Sequence, residues 1–422
     1  MRQGSLAFRS RRENGVEGGE LSLLSLTEAS SRADAPPRAR PAQIPRRFGV
    51  QLFGGRDLAA ARWPSIAAGP ELLMHAFQSR EVLDVWTATI GRARKAQSFL
   101  VVVTNSDDKN PILYLPLSIE TRFGMRILRF MGAGVVDLNA PILVAGQDLS
   151  RGEFLEVWGR ILSLLPAIDV VDLQKMPGTV GGGHNPLTYL ACRPYEFSGN
   201  TVDLGKWREV GARRSTARMH GKLRRHLRRL GEIEPTAFLM DPSGPQWHKV
   251  MDRLTEVKRK QYLRTTAHDF FAAPGVLDFY REMAAPERLG RISHLSALTC
   301  GGRVVAAHLG VIGRGRFYYI LPAFDTEYRS FAVGLVLLKR LIEQCVDQDC
   351  QTFDLGEGDY PYKETWTTHR DPLWSYEHGL TSAGRIYGQL RRARRLRHVG
   401  RLYELFARGG RTRSTRAADG MQ

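Results

Sequence analysis

Three apolar runs, Ile292–Thr299, Val304–Ile312 and Phe317–Leu321, follow one another with only a few residues between them. Each has the length and the β-branched and aromatic content of a strand. The link Cys300-Gly301-Gly302-Arg303 supplies glycines that tolerate the positive φ of a tight hairpin, so the first two runs pair antiparallel. A helix is predicted from about Ala332 to Val346. Val333, Leu337, Leu341 and Cys345 recur in it at i, i+4 with Leu338 and Ile342 beside them, so one face packs on the sheet. The short strand Thr352–Leu355 follows. Hairpin, strand, loop, helix, strand describes an α/β unit (an α+β mixed sheet).

At 422 residues, 43% hydrophobic and 25% charged, the chain has material for two domains with separate cores. Upstream, Glu81–Gly91 reads as a helix with Val82, Val85, Trp86 and Ile90 on one face. Strands are predicted at Phe99–Thr104, Ile112–Ile119, Arg126–Met131 and Val170–Leu173, and a helix at Gly152–Leu165. The glycine cluster Gly178 to Gly183 lacks the Gly-Lys-Ser/Thr of a phosphate loop, and Pro186 blocks a helix start. It reads as a mobile loop. Residues 1–47, rich in Ser, Arg, Pro and Gly, read as a disordered tail or an over-long start of the reading frame. The organisation expected is that tail, a first lobe over 48–205, a second domain over 206–382, and a basic helix with its tail over 383–422.

No stretch approaches the ~20 apolar residues of a membrane span. The run from Leu21 to Leu26 is too short for a signal-peptide core, so a soluble, cytoplasmic protein is expected. Cys192, Cys300, Cys345 and Cys350 form no C-x-x-C pair; they read as buried free thiols, and no metal is expected.

The net charge of +18 is unevenly placed. Lys206 to Leu230 carries ten Lys/Arg against one Glu, and Gly384 to Arg416 carries eleven Arg against one Glu. These arms hold +9 and +10, leaving the rest at −1. Arms this dense suit an anionic polymer, a membrane surface or RNA. The first lacks interleaved aromatics, which disfavours stacking on single-stranded nucleic acid. The second reads as an amphipathic helix from about Ile386 to Phe406, with Ile386, Leu390, Val399, Tyr403 and Phe406 on one side.

Between Asp325 and Gly334 the chain reads Asp-Thr-Glu-Tyr-Arg-Ser-Phe-Ala-Val-Gly and then enters the helix. A helix N-terminus presents unpaired N–H groups, and small residues at Ala332 and Gly334 let a ligand approach the backbone. This is a site for a pyrophosphate, to which Arg329 adds a charged donor.

The pattern Arg329-x-x-Ala332-x-Gly334 resembles the acyl-CoA pyrophosphate loop of GNAT acyltransferases, Arg/Gln-x-x-Gly-x-Gly/Ala. A longer ordered set is similar to the CelD-type (cellulose-biosynthesis-associated) GNAT family, related to FemAB peptidyltransferases. It comprises Gly302 to Ala307, Tyr318-Tyr319, Ala323-Phe324-Asp325, the helix, and Phe353 to Trp366. The Arg-rich stretch Arg213 to Leu230 is similar to the helix that opens that family's transferase domain. The family often has Ser-Pro-Gly where this chain has Ala332-Val333-Gly334. The first lobe resembles the N-terminal half of two-lobed members only loosely.

The resemblance implies a two-lobed GNAT-like fold and an N-acyltransferase moving an acyl group from acyl-CoA to an amine, such as an amino sugar in polysaccharide or envelope assembly. Arg329, Ala332, Val333, Gly334 and Leu335 would bind the cofactor. Glu357, Asp359, Tyr362 and Lys363 are the acid/base candidates. An alternative reading pairs Asp359 with Lys363 at a turn while Tyr362 and Trp366 pack. His308 reads as a satisfied core histidine and Asp354 as structural. Two further functions stand beside the first: a FemAB-like aminoacyl-tRNA-dependent transferase, and a non-catalytic GNAT-like protein binding anionic polymers.

Overall fold

The structure, a computed structural model, describes residues 47–207, 209, 214–266 and 269–391. The expected N-terminal tail through residue 46, the start of the first basic arm at 208 and 210–213, and the second arm past 391 lie outside the described residues.

Two mixed sheets carry the chain. The first runs in the order Phe48–Gly54, Gln97–Asn105, Pro111–Arg122, Met125–Phe130, Val170–Pro177, Leu373–Gly379, Arg193–Pro194. The second runs Thr236–Met240, Ser293–Cys300, Arg303–Gly313, Arg316–Phe324, Thr352–Glu357, Gly199–Asp203, His369–Asp371. The predicted hairpin at Cys300–Arg303 forms, with Gly301 and Gly302 at positive φ.

The two sheets repeat one device. Met125–Phe130 pairs parallel with Val170–Pro177 after the helix Arg151–Leu164, and Arg316–Phe324 pairs parallel with Thr352–Glu357 after the helix Val333–Asp347. A parallel pair requires such a crossover, and the helix supplies it.

The second sheet is covered on both faces. On one, Ala297, Leu309, Tyr318 and Leu321 pack with Val250, Leu254 and Val257 of the long helix Gly244–Thr266. On the other, Phe317, Tyr319 and Phe353 pack with Val333, Leu337, Leu341 and Cys345, the predicted helix face. The basic helix Arg214–Gly231 buries Leu223 and Leu230 there and leaves Arg218, Lys222, Arg224, Arg225, Arg228 and Arg229 exposed.

The lobes share one core. Phe77 lies 4.8 Å from Tyr318 between ring centroids, the Ala76 amide donates to the Tyr318 hydroxyl at 3.2 Å, and Arg314 donates to the carbonyls of Ala68, Gly69 and Leu72. They also exchange strands. Gly199–Asp203, upstream of the boundary expected at 205, lies inside the second sheet, while Leu373–Gly379 lies in the first. Sequence patterning missed both, because each is short and only partly apolar.

The glycine cluster forms a small hairpin, Thr179–Val180 against Gly183–His184, rather than an open loop; Gly181 and Gly182 turn it at positive φ. The helix expected from Ile386 is present over 382–391 among the described residues. Arg391 docks it on the buried Asp172 at 2.6 Å, but Ile386 and Leu390, expected on an apolar side, are exposed.

Gly275 begins the helix Val276–Ala284 at φ 75°, and a Cβ there would lie 2.7 Å from the Ile90 Cα. Left-handed strain and a backbone collision across the lobe contact both oppose a side chain. Gly275→Ala is expected to lose about 3 kcal/mol in urea unfolding.

Candidate functional site

The two strands of the second parallel pair share three register positions, Arg316↔Thr352, Phe317↔Phe353 and Tyr318↔Asp354, and then diverge into a fork. Each limb carries an irregularity just past the last shared pair. Register on the outer side of one limb steps from Leu309↔Leu321 to Gly310↔Tyr319, leaving Ile320 extra; on the other it steps from Thr201↔Asp354 to Asn200↔Gly356, leaving Leu355 extra. Bulges bend strands, and two in succession separate these limbs. Asp354 fixes the turn: its carboxylate accepts from the Gly356 amide at 2.8 Å and pairs with Arg316 at 2.8 Å.

The fork opens toward the N-terminus of the helix Val333–Asp347. A short 3₁₀ segment, Thr326–Phe331, leads into it, with Asp325 as its cap. Arg253 and Arg303 both grip the Asp325 carboxylate, tying the loop to the long helix. Ala332 adopts the left-handed conformation (φ 50°, ψ 38°), and the first turn has neither a side-chain cap nor an acidic residue. The amides of Val333 and Gly334 find no backbone acceptor among the described residues, as expected of an open helix start. Arg329 is exposed at its rim, and Leu335 and Gly334 are half-buried. A Cβ on Gly334 would meet the Phe324 ring at 3.2 Å, so that glycine also serves close packing.

The acid/base candidates separate. Glu357 pairs with Lys175 at 2.6 Å, across the lobe contact. Lys363 is buried and donates to the carbonyls of Gly356 (3.3 Å) and Glu357 (2.5 Å), not to the Asp359 carboxylate; Asp359 is exposed. Burial lowers the Lys363 pKa, against the pull of Asp137, Asp354 and Glu357. Tyr362 stacks with Tyr360 at 6.2 Å, and burial raises its phenol. Trp366 is buried against Trp207, 6.0 Å between centroids. His308 is a core residue stacked on Tyr319 at 4.2 Å, but its ring nitrogens have no hydrogen-bond partner among the described residues, so it is buried and unsatisfied. Burial keeps it neutral.

Three residues that the motif reading missed line the same fork. Lys258, on the long helix, donates to the Pro322 carbonyl on one limb at 2.9 Å, and burial pushes its pKa down to about 8. Pro322 has no N–H to place in a ladder, which suits a limb without a strand neighbour on that side. Asp137 and Lys175 come from the first lobe. A Cβ on Gly356 would lie 2.4 Å from the Asp137 Oδ2, so that carboxylate stands directly over the apex. Burial, helped by the Glu357 and Asp354 carboxylates and opposed by Lys175 and Lys363, pushes the Asp137 carboxyl up to about 7. Its side chain nevertheless keeps 25% exposure, as a group in a crevice does. Lys258 was legible: it follows Leu254 at i+4 on a buried helix face, where a lysine is out of place. A separate cavity of about 600 Å³ lies in the first lobe beside His184 and Tyr189, away from these groups.

The sequence of this half matches a known family over the same elements: residues 217–364 fit the profile described as "Acetyltransferase (GNAT) domain". These residues are a GNAT-type acetyltransferase domain. The match spans about a third of the chain. No curated protein matches the chain. Among solved structures, FemX is similar at 10% identity and TM-score 0.49, covering 77% of this chain and 96% of that one. A tandem GNAT protein from the clavulanic acid biosynthesis pathway is similar at 13% identity and TM-score 0.42, covering 79% and 100%. A C-terminal domain described as that of a lysylphosphatidylglycerol synthetase from Agrobacterium fabrum is similar at 11% identity and TM-score 0.46, covering 74% and 94%.

Two stability effects follow. Glycine at 332 removes the left-handed cost that alanine bears, so Ala332→Gly is expected to gain about 1 kcal/mol in urea unfolding. The raised Asp137 carboxyl binds its proton more tightly folded than unfolded. It therefore contributes stability at low pH that is lost as pH rises through about 7. Asp137→Asn is expected to be more stable relative to wild type at pH 8 than at pH 5, by about 2 kcal/mol, in paired urea titrations.

Proposed function

We propose that this chain is an acyl-CoA-dependent N-acyltransferase of the CelD-type group. It would move an acyl group to an amine such as an amino sugar or sugar nucleotide in cytoplasmic steps of polysaccharide or envelope assembly. The observation that carries the donor site is the contrast between the two crossover helices. The first-lobe helix is closed: Ser150 caps it in a reciprocal box with Glu153, whose carboxylate occupies the positive end. The second-lobe helix is open, uncapped and free of acid in its first turn, and it stands at the mouth of a splayed parallel pair.

In this reading Arg329 and the amides of Val333 and Gly334 hold the diphosphate, with Ala332 setting their direction and Leu335, whose amide donates to the Ala332 carbonyl, beside them. The thioester arm lies in the fork as an added strand, bonded by limb groups that have no strand neighbour there. Attack by the amine and departure of the thiol need positioning, a proton acceptor and donors toward the oxyanion. Glu357, Lys363 and Tyr362 stand near enough to share those tasks; exposed Asp359 is a rim residue suited to meeting the acceptor.

Calorimetry with acetyl-CoA and longer acyl-CoAs tests the donor site. Wild type is expected to bind at least one of them, and Gly334→Trp, checked for folding by circular dichroism, to weaken that binding more than about tenfold. No binding by any acyl-CoA sinks the reading.

A second donor has its own observation. The basic helix lies along the same loop, with the Arg229 guanidinium 5.7 Å from the Phe331 ring, so its exposed arginines border the helix opening. An aminoacyl-tRNA would use that border. Unmodified tRNA would then bind with steep salt dependence; affinity that is flat between low and high salt rejects it.

A further inference from the structure

The first lobe holds a second parallel pair, and it is blocked. Only Ile127↔Val170 and Leu128↔Val171 are in register. Beyond them the loop that follows Phe130 fills the gap: the Asn139 amide and side chain donate to the carbonyls of Lys175 (3.0 Å) and Gln174 (3.1 Å), and Lys175 Nζ donates to the Val136 carbonyl at 3.1 Å. The same loop carries Asp137 outward to the apex of the other lobe's fork.

We propose that Asp137 is the proton acceptor for the nucleophile at that fork, supplied across the lobe contact by the lobe that has lost its own opening. The inference rests on the acyl-transfer reading above. Gly356 is the structural counterpart: at φ 75° and with the carboxylate 2.4 Å from where a Cβ would stand, only glycine lets the two lobes meet there. The charged and titratable groups facing Asp137 come from every element around it. Lys175 lies 4.0 Å away on the first sheet, Glu357 and Asp354 are on the fork limb, and Lys363, Tyr360 and Tyr362 are on the turn beyond it. Lys258 and Tyr262 face it from the long helix and Tyr280 from the next. Lys175 holds the Glu357 Oε1 at 2.6 Å but stands 4.0 Å from Asp137, so Asp137 is the less tightly paired of the two, although the Glu357 Oε2 has no hydrogen-bond partner among the described residues.

The step balances. Asp137 as carboxylate takes one proton from the ammonium of the acceptor, and the freed nitrogen lone pair forms a bond to the thioester carbon. Collapse of the tetrahedral adduct breaks the C–S bond, the electron pair goes to sulfur, and the sulfur takes the second nitrogen proton. The proton on Asp137 returns to water. Water in place of the amine follows the same course and gives the free acid.

The full chain with acetyl-CoA tests this, with glucosamine as the probe amine and water as the nucleophile in its absence. Thiol release is followed from pH 5.5 to 9, and acetyl-CoA binding by calorimetry. Wild-type release is expected to rise with pH through about 7. Asp137→Asn is expected to lose roughly 100-fold and the rise itself, while binding acetyl-CoA as tightly as wild type; Asp137→Glu is expected to recover part of the rate on a shifted limb. A rate or a pH rise in Asp137→Asn equal to wild type overturns the proposal. So does a wild type that binds acetyl-CoA yet releases no thiol to glucosamine or water. Absence of acetyl-CoA binding overturns the donor reading, and this inference with it.

Discussion

Three register positions between Arg316–Phe324 and Thr352–Glu357 decide what the rest of the molecule can do. Had the pairing continued, the two strands would bond each other along their whole length and the helix Val333–Asp347 would cap a closed sheet. Because Ile320 and Leu355 are extra residues, the limbs part. The gap then collects Lys258 on one side, Lys363 on the other and Asp137 across the apex. A lone lysine or carboxylate there would be costly to bury. Lys175, Glu357, Asp137 and Lys363 are tolerated together because each charge has an opposite neighbour and the two ammonium groups also donate to backbone carbonyls.

The lobes share a plan and divide the labour. Both place a helix between two parallel strands that pair only briefly. In the first lobe the helix start is neutralised by its own capping box and the gap is filled by its own loop; in the second both stay open. A closed copy is a rigid support, and rigidity is what a residue delivered from another lobe requires to stand at a fixed place.

The second lobe was readable because its signals are local. Tight glycine turns, strands of ample length and an i, i+4 helix face need no distant partner to be recognised. Arg329, Ala332 and Gly334 belong to that class, being one loop before one helix. Asp137 and Lys175 do not. Asp137 sits in an otherwise apolar stretch and Lys175 follows Asp172 and Gln174 in a strand, with no local motif to suggest chemistry, and only the lobe contact, spanning some 200 residues of chain, brings them to the Gly356 apex. The alternative that paired Asp359 with Lys363 is not what forms, for a related reason: the two are close in sequence, but the buried ammonium donates to two carbonyls at the end of a bent strand while the Asp359 side chain remains in water.

The exchanged strands bear on how this chain can be divided. The segment that fits the GNAT profile stops short of Gly199–Asp203 on one side and of His369–Asp371 on the other, yet the first lies beside Thr352–Glu357 in the sheet and the second lies beside the first. Cut out alone, that segment would present the fork's own limb as a naked edge, open to strand addition by a second copy. The unit of inheritance recognised from sequence is therefore smaller than the unit that can stand in solution, and any fragment meant to keep the fork intact has to begin before Gly199 and run through Asp371.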